Sequence, residues 1–197
     1  MKLVLASKNQ HKLVEMQTIL GQLGLEVVLE SEVGVDVDVE ETGVTFMENA
    51  LLKARAVCEA SGMAAIADDS GLMVDALGGA PGVYSARYGG RESDAARTAF
   101  LLENMADVPE EQRTARFVSA IACALPDGRV VTAEGACEGT ILFATRGDNG
   151  FGYDPVFYVP SLGKTFAEAD GLEKNAISHR GNALQEFLKA WKEAGLC

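Results

Sequence analysis

The chain is short of the residues from which several familiar chemistries are built. Its four cysteines, Cys58, Cys123, Cys137 and Cys197, show no CxxC spacing, and its two histidines, His11 and His179, stand apart from them. That argues against a zinc site and leaves buried or incidental thiols in a reducing compartment as the simpler reading. A Walker A loop is also missing, so the usual P-loop mechanism is not indicated. Cations are scarce: 17 Lys and Arg face 29 Asp and Glu, a formal net charge of -12. Broad binding to nucleic acid or to an anionic membrane needs a basic surface, and neither is expected here. Any polyanionic ligand must be held by a local cluster of cations or by a metal. No stretch approaches the roughly 18 apolar residues of a membrane span, and Lys2 is not followed by a long apolar run. A cytoplasmic protein is expected. There is no linker, repeat or low-complexity segment, and with 48% hydrophobic residues the sequence predicts one domain over 1–197.

What is present begins with a strand-turn-helix opening. Leu3 to Ala6 reads as a strand, and Leu13, Met16, Ile19, Leu20 and Leu23 form a helical stripe that stops at Gly24. Between them Ser7, Lys8, Asn9, Gln10, His11 and Lys12 offer polar side chains and cations at a helix start, where free N–H groups can cradle phosphate. A plain helix cap with a solvated first turn explains the same residues. A second strand is predicted at Glu26–Glu30. After the acidic stretch Asp36–Gly43, Thr45 and Glu48 form a capping box for a helix ending at Gly62, with Asn49 and Lys53 on one face.

The stretch Ala67-Asp68-Asp69-Ser70-Gly71-Leu72 is the candidate working centre. The apolar run Met63–Ala67 predicts a buried strand that delivers two carboxylates to its end, with a glycine turn following. Strand ends in α/β sheets are where ligand sites collect. Asp69 with Glu40 or Glu41 could surround a hard cation, which takes oxygen ligands and keeps waters. An aspartate-rich turn accounts for the pair equally well.

Further along, Gly78–Gly82 is a loop expected to bring Tyr84, Ser85 and Arg87 back toward the protein. Ser93 caps a helix to about Met105, with Ala99, Leu101, Leu102 and Met105 inward. Phe117–Leu125 and Val130–Glu134 form a hairpin, and a separate strand is expected at Gly139–Phe143. In Gly147–Pro155 two aromatics sit among glycines, which suits a planar ligand stacking on Phe151 and suits equally a turn with Phe151 in the core. Lys174, His179 and Arg180 precede a last helix carrying Leu184, Phe187, Leu188 and Trp191. Mixed strands and helices with an inserted hairpin indicate an α/β fold with a mixed sheet.

The ordered set Ser7-x-Asn9-x-x-Lys12, Glu40-Glu41-Thr42-Gly43, Thr45-Phe46-x-Glu48-Asn49-Ala50-x-x-Lys53-Ala54, Ala67–Leu72, Gly79–Tyr88, Phe151–Pro155 and Ser178–Gly181 resembles the inosine/xanthosine triphosphate pyrophosphatase family. The resemblance runs from residue 3 to about residue 190. It implies hydrolysis of deaminated purine nucleoside triphosphates, such as ITP, dITP and XTP, to the monophosphate and pyrophosphate, cleansing the nucleotide pool, with magnesium as cofactor. It also implies an elongated mixed β-sheet flanked by helices, two lobes around a central nucleotide cleft, and a homodimer. By position, Glu41 and Asp69 would hold the metal, Asp69 would accept a proton, and Ser7 to Lys12, Lys53, Ser70, Phe151, Gly152, Tyr153, Asp154, Lys174, His179 and Arg180 would bind substrate. A tight metal ligand is a poor base, so Asp68 is expected to share the catalytic work. A donor such as Lys174, Arg180 or a backbone N–H would meet O6 of hypoxanthine or xanthine and reject adenine. Two rival readings, a pyrophosphatase for modified pyrimidine triphosphates and a nucleotide sensor without turnover, lack support from the Phe151–Asp154 and Ser178–Gly181 motifs and from the complete set of acidic metal candidates respectively.

Overall fold

The computed structural model describes residues 1–196, the side chain of His11 aside. Seven strands share one sheet in the order β2-β1-β3-β4-β5-β6-β7. They are β1 (Lys2–Leu5), β2 (Glu26–Leu29), β3 (Ala65–Val74), β4 (Thr114–Ala124), β5 (Val130–Ile141), β6 (Phe157–Val159) and β7 (Lys164–Thr165). The helices are α1 (Gln10–Leu20), α2 (Phe46–Ser61), α3 (Asp94–Asn104), α4 (Gly171–Ile177) and α5 (His179–Glu193). Strand β1 pairs in parallel with β2 and β3, whereas β6 pairs antiparallel with β5 and β7, so the expected mixed α/β sheet is present. The chain divides into two compact units.

The first unit comprises Met1–Asp69, Ser119–Gly135 and the chain from His179 onward. Its core gathers Leu3 and Leu5 of β1, Leu13, Met16, Ile19 and Leu20 of α1, Ile66 of β3, Ile121 and Cys123 of β4, and Leu184, Phe187, Leu188 and Trp191 of α5. The helical stripes read from the sequence are therefore the buried faces, as their 3.6-residue period requires. Helix α1 tightens into a 3₁₀ turn at Gly21–Leu23 and stops at Gly24, whose φ of 69° is left-handed. The capping box of α2 also forms: Thr45 Oγ1 accepts from Glu48 N at 3.1 Å, and Glu48 Oε2 accepts from Thr45 N at 3.3 Å and Val44 N at 2.7 Å. One contact carries no sequence signal. A Cβ on Gly135 of β5 would lie 2.2 Å from Ala183 N, so only glycine lets α5 approach that strand so closely.

The second unit comprises Ser70–Val118 and Ala136–Ser178. Its core joins Leu72 and Val74, Leu101 of α3 and Met105 just after it, Phe117, Ile141, Tyr153, Phe157 and Phe166, with Phe117 and Phe157 edge-to-face at 4.6 Å. Arg113 is 2% exposed, and its guanidinium donates to the carbonyls of Ile141, Met105, Val108 and Leu142 at 2.8 to 3.2 Å. Burial pushes its pKa down, yet four carbonyl partners satisfy the charge.

Four local expectations are corrected. Strand β3 runs straight through Asp68, Asp69, Ser70 and Gly71 to Val74, so the two carboxylates lie within a strand and no turn follows them. Leu72 and Val74 are fully buried and keep that segment extended. Gly139–Ile141 belongs to β5 rather than to a separate strand. Of Tyr84, Ser85 and Arg87, only Ser85 is buried; Tyr84 is 60% exposed with the Arg87 guanidinium 5.1 Å from its ring. Ala99 of α3 is exposed, while Leu101 and Met105 are buried as expected.

Candidate active site

In the first unit, consecutive side chains of β3 point to opposite faces, so Asp68 and Asp69 enter different surroundings. Asp68 is 2% exposed. Its Oδ1 accepts from Ser119 Oγ at 2.7 Å, and its Oδ2 pairs with Lys12 Nζ at 2.9 Å and Arg180 Nε at 3.0 Å. Arg180 also donates to Glu15 Oε2 at 2.5 Å. Burial opposes the Arg180 charge, but Asp68 and Glu15 outweigh it and raise the pKa above its ordinary value. Burial pushes Lys12 down, only partly offset by Asp68.

Asp69 meets a different cation. Lys53, on the inner face of α2, donates to Asp69 Oδ1 at 2.8 Å, Glu41 Oε1 at 2.8 Å and the Asp68 carbonyl at 3.2 Å. Burial disfavours the Lys53 charge, yet two carboxylates outweigh it and its pKa rises. Burial raises Asp69 as well, because it shares its ammonium with Glu41 and recovers only part of the desolvation. Glu41 is carried there by the strap before α2. Asn49, fully buried, accepts from Gly43 N through Oδ1 at 2.8 Å, and a Cβ on Gly43 would lie 2.6 Å from that oxygen.

At the start of α1, Ser7 Oγ accepts from Asn9 N at 3.1 Å and Asn9 Oδ1 from Lys12 N at 3.4 Å, so these side chains shape the turn. Lys8 points elsewhere, pairing with Asp36 at 2.6 Å with 68% of its side chain exposed, and Gln10 is exposed. The side chain of His11 lies outside the described residues. His179 is 5% exposed at the start of α5. Glu40 is exposed, and Glu48 is committed to its cap. No group of three or more His, Cys, Asp or Glu side chains suited to a metal occurs among the described residues.

The second unit holds the other candidates. Phe151 is 40% exposed, whereas Tyr153 and Asp154 are 4% and 3% exposed. Tyr153 donates to the Ser85 carbonyl at 2.7 Å, and Asp154 Oδ2 accepts from Phe151 N at 3.0 Å and Lys174 Nζ at 2.6 Å. The Lys174 ammonium sits 4.9 Å from the Phe151 ring centre. Phe151 is thus outside the core, and Tyr153 occupies it instead. Ser70 is partly exposed on β3.

The profile of the Ham1 family matches residues 3–190. The chain belongs to the Ham1 family. It is 52% identical over 193 residues to the dITP/XTP pyrophosphatase of Thermus thermophilus, covering 98% of this chain and 93% of that protein. It is 53% identical over 190 residues to the dITP/XTP pyrophosphatase of Desulforamulus reducens, covering 96% and 94%. Among solved structures, a HAM1 protein from Coxiella burnetii matches with a TM-score of 0.90 and 45% identity, over 98% of this chain and 99% of that one.

Ser119 and Glu15 escaped the sequence reading. Their partners Asp68 and Arg180 lie 51 and 165 positions away, so no local spacing announces them.

Proposed function

We propose that this Ham1 family chain hydrolyses deaminated purine nucleoside triphosphates, dITP, ITP and XTP, to the monophosphate and pyrophosphate. The curated relatives named dITP/XTP pyrophosphatase, about half identical over nearly the whole chain, support the substrate class. The observation that carries the chemistry is Glu41 and Asp69 converging on one Lys53 ammonium, each at 2.8 Å. Two hard oxygen donors that already share a cation fit magnesium, which keeps several waters and takes one or two carboxylates. Magnesium, when bound, supplies neutralisation of triphosphate charge.

The residues divide the work as follows. Lys53 and Lys12 offer ammonium groups to phosphate oxygens, and Ser7, Asn9 and Ser70 bind polar parts of the substrate. Asp69 takes the proton of the water that attacks the α-phosphorus, with Glu41 the tighter of the two metal donors, since a carboxylate held tightly by a metal is a poor base; in the metal-free chain burial raises the Asp69 pKa. Asp68 has its oxygens occupied by two cations and a hydroxyl, which suits it to aiming Lys12 rather than to taking a proton. Arg180 is likewise spent on Asp68 and Glu15, whereas Lys174, which gives one of its three N–H donors to Asp154 and stands beside the Phe151 ring, is assigned as the side-chain donor for O6, with the base stacked on Phe151. Lys8 and Gln10, exposed at the turn, have the weakest claim to substrate. In this reading residues 1–197 act as one pyrophosphatase domain, supported by the unbroken family match over residues 3–190. A cytoplasmic homodimer follows from the family resemblance, and no described helix is long and apolar enough to cross a membrane.

The test is turnover by purified protein with magnesium, comparing dITP and XTP with dGTP, dATP and dUTP. Pyrophosphate release from dITP and XTP is expected. No turnover of dITP would sink the enzyme assignment, phosphate in place of pyrophosphate would sink attack at the α-phosphorus, and preference for dUTP would favour the pyrimidine reading.

A further inference from the structure

The loop that carries Phe151 is fixed by two residues of α3, a helix to which neither the motifs nor the reaction assigns a role. Gly152 has a φ of 61°, a left-handed conformation that turns Phe151 outward while Tyr153 enters the core. Both polar atoms of Gly152 are taken: Asp94 Oδ2 accepts from its N–H at 2.7 Å, and Thr98 Oγ1 donates to its carbonyl at 3.3 Å. Asp94 and Thr98 stand one helical turn apart, so both reach the same peptide. Thr98 is 4% exposed, which leaves its hydroxyl few other partners. Asp94 is kept in place by Arg97, which pairs with its other oxygen and donates to the Arg91 carbonyl at 2.9 Å. Asp94, Thr98, Phe151 and Gly152 line one depression of about 610 Å³.

We propose that Asp94 and Thr98 are positioning residues for base recognition, clamping the Gly152 peptide so that the Phe151 ring and Lys174 present a fixed face to the purine. This rests on the reading of Phe151 and Lys174 as base contacts. It also removes the Gly152 N–H from the candidate donors to the base, since that hydrogen is already given to Asp94. Fixing the loop in its bound shape cuts the ordering cost of binding, so the clamp acts on affinity and selectivity more than on the chemical step.

The experiment compares steady-state kinetics of Asp94→Ala, Asp94→Asn, Thr98→Val and Phe151→Ala with dITP and dATP, with thermal melts to follow folding. Asp94→Ala is expected to raise KM for dITP about tenfold and to narrow the dITP to dATP preference, with kcat within about twofold, the scale of one lost hydrogen bond to a charged group. Asp94→Asn keeps an acceptor and restores most of the KM, Thr98→Val moves KM in the same direction as Asp94→Ala, and Asp94→Ala adds nothing in the Phe151→Ala background. A merely structural role predicts a lowered melting temperature and a reduced kcat with KM unmoved, and that pattern overturns the proposal. If Phe151→Ala raises KM while Asp94→Ala and Thr98→Val do not, the clamp fails and the base-contact reading stands. If Phe151→Ala leaves KM unchanged, the base-contact reading itself fails, and the clamp with it.

Discussion

The pleat of β3 gives two neighbouring aspartates different employment. Asp69, paired with a lysine it shares, keeps proton affinity; Asp68 is consumed by Lys12, Arg180 and Ser119. Asp69→Asn should therefore abolish pyrophosphate release while leaving the urea unfolding midpoint near that of the unsubstituted protein. Asp68→Asn should instead be costly to the fold, by about 3 to 5 kcal/mol, because it takes the counter-charge from buried Lys12 and leaves Arg180 with Glu15 alone; urea unfolding reads this directly. The neighbours were visible in the sequence as an acidic pair but their division was not. It depends on Ser119 and Arg180, 51 and 112 positions distant, and on a strand continuing where aspartate, serine and glycine suggested a turn. The thiols carry a separate pH dependence. Burial pushes Cys123 up to about 12 and Cys137 up to about 11, so above the usual thiol value of about 8.5 the folded state holds protons that the unfolded chain releases. Stability should fall as pH rises from about 8.5 toward 12, and Cys123→Ala should flatten that slope in chemical denaturation.

Among the elements, α2 was the most legible. Its cap and its terminal glycine are both written in nearby residues, and both are present in the fold. Legibility ended at the strap in front of it. Gly43 reads as an ordinary loop glycine, yet it is wedged against Asn49 with no room for a methyl group. Two residues upstream, Glu41 depends on that seat to reach Lys53. Gly43→Ala should weaken magnesium binding at least several-fold in calorimetric titration, with little loss of helix content. Thr45→Ala removes an N-cap and should cost about 1 kcal/mol of stability without changing magnesium affinity as much. Helix α3 shows the opposite case: its cap was readable, whereas the service its Asp94 and Thr98 render to Gly152 was not, since that glycine lies 58 and 54 positions on. The glycine-rich segment likewise announced an unusual loop without saying which aromatic would face outward.

For the whole molecule, composition narrowed the readings. With a formal charge of -12 cations are scarce, and those proposed for the substrate are individually placed, Lys12 and Lys53 in the first unit and Lys174 in the second, while Arg180 is held by Asp68 and Glu15. Strand order could be guessed as mixed, but the position of each strand in the sheet rests on pairings that no local pattern encodes. Because only Glu41 and Asp69 are assigned to the metal and Lys53 already balances them, magnesium should matter to turnover and not to folding. Chelation with EDTA should stop pyrophosphate release from dITP while shifting the melting temperature little, and added magnesium should restore activity.

The reach from Asp68 to Arg180 also has a temporal meaning. A ribosome makes the two residues 112 positions apart, roughly 6 to 20 s at ordinary elongation rates. Until α5 emerges, the first unit lacks Leu184, Phe187 and Trp191 from its core, and Asp68 lacks one of its two cations. The core of the first unit and the counter-charges of Asp68 are therefore both completed only once α5 has been made.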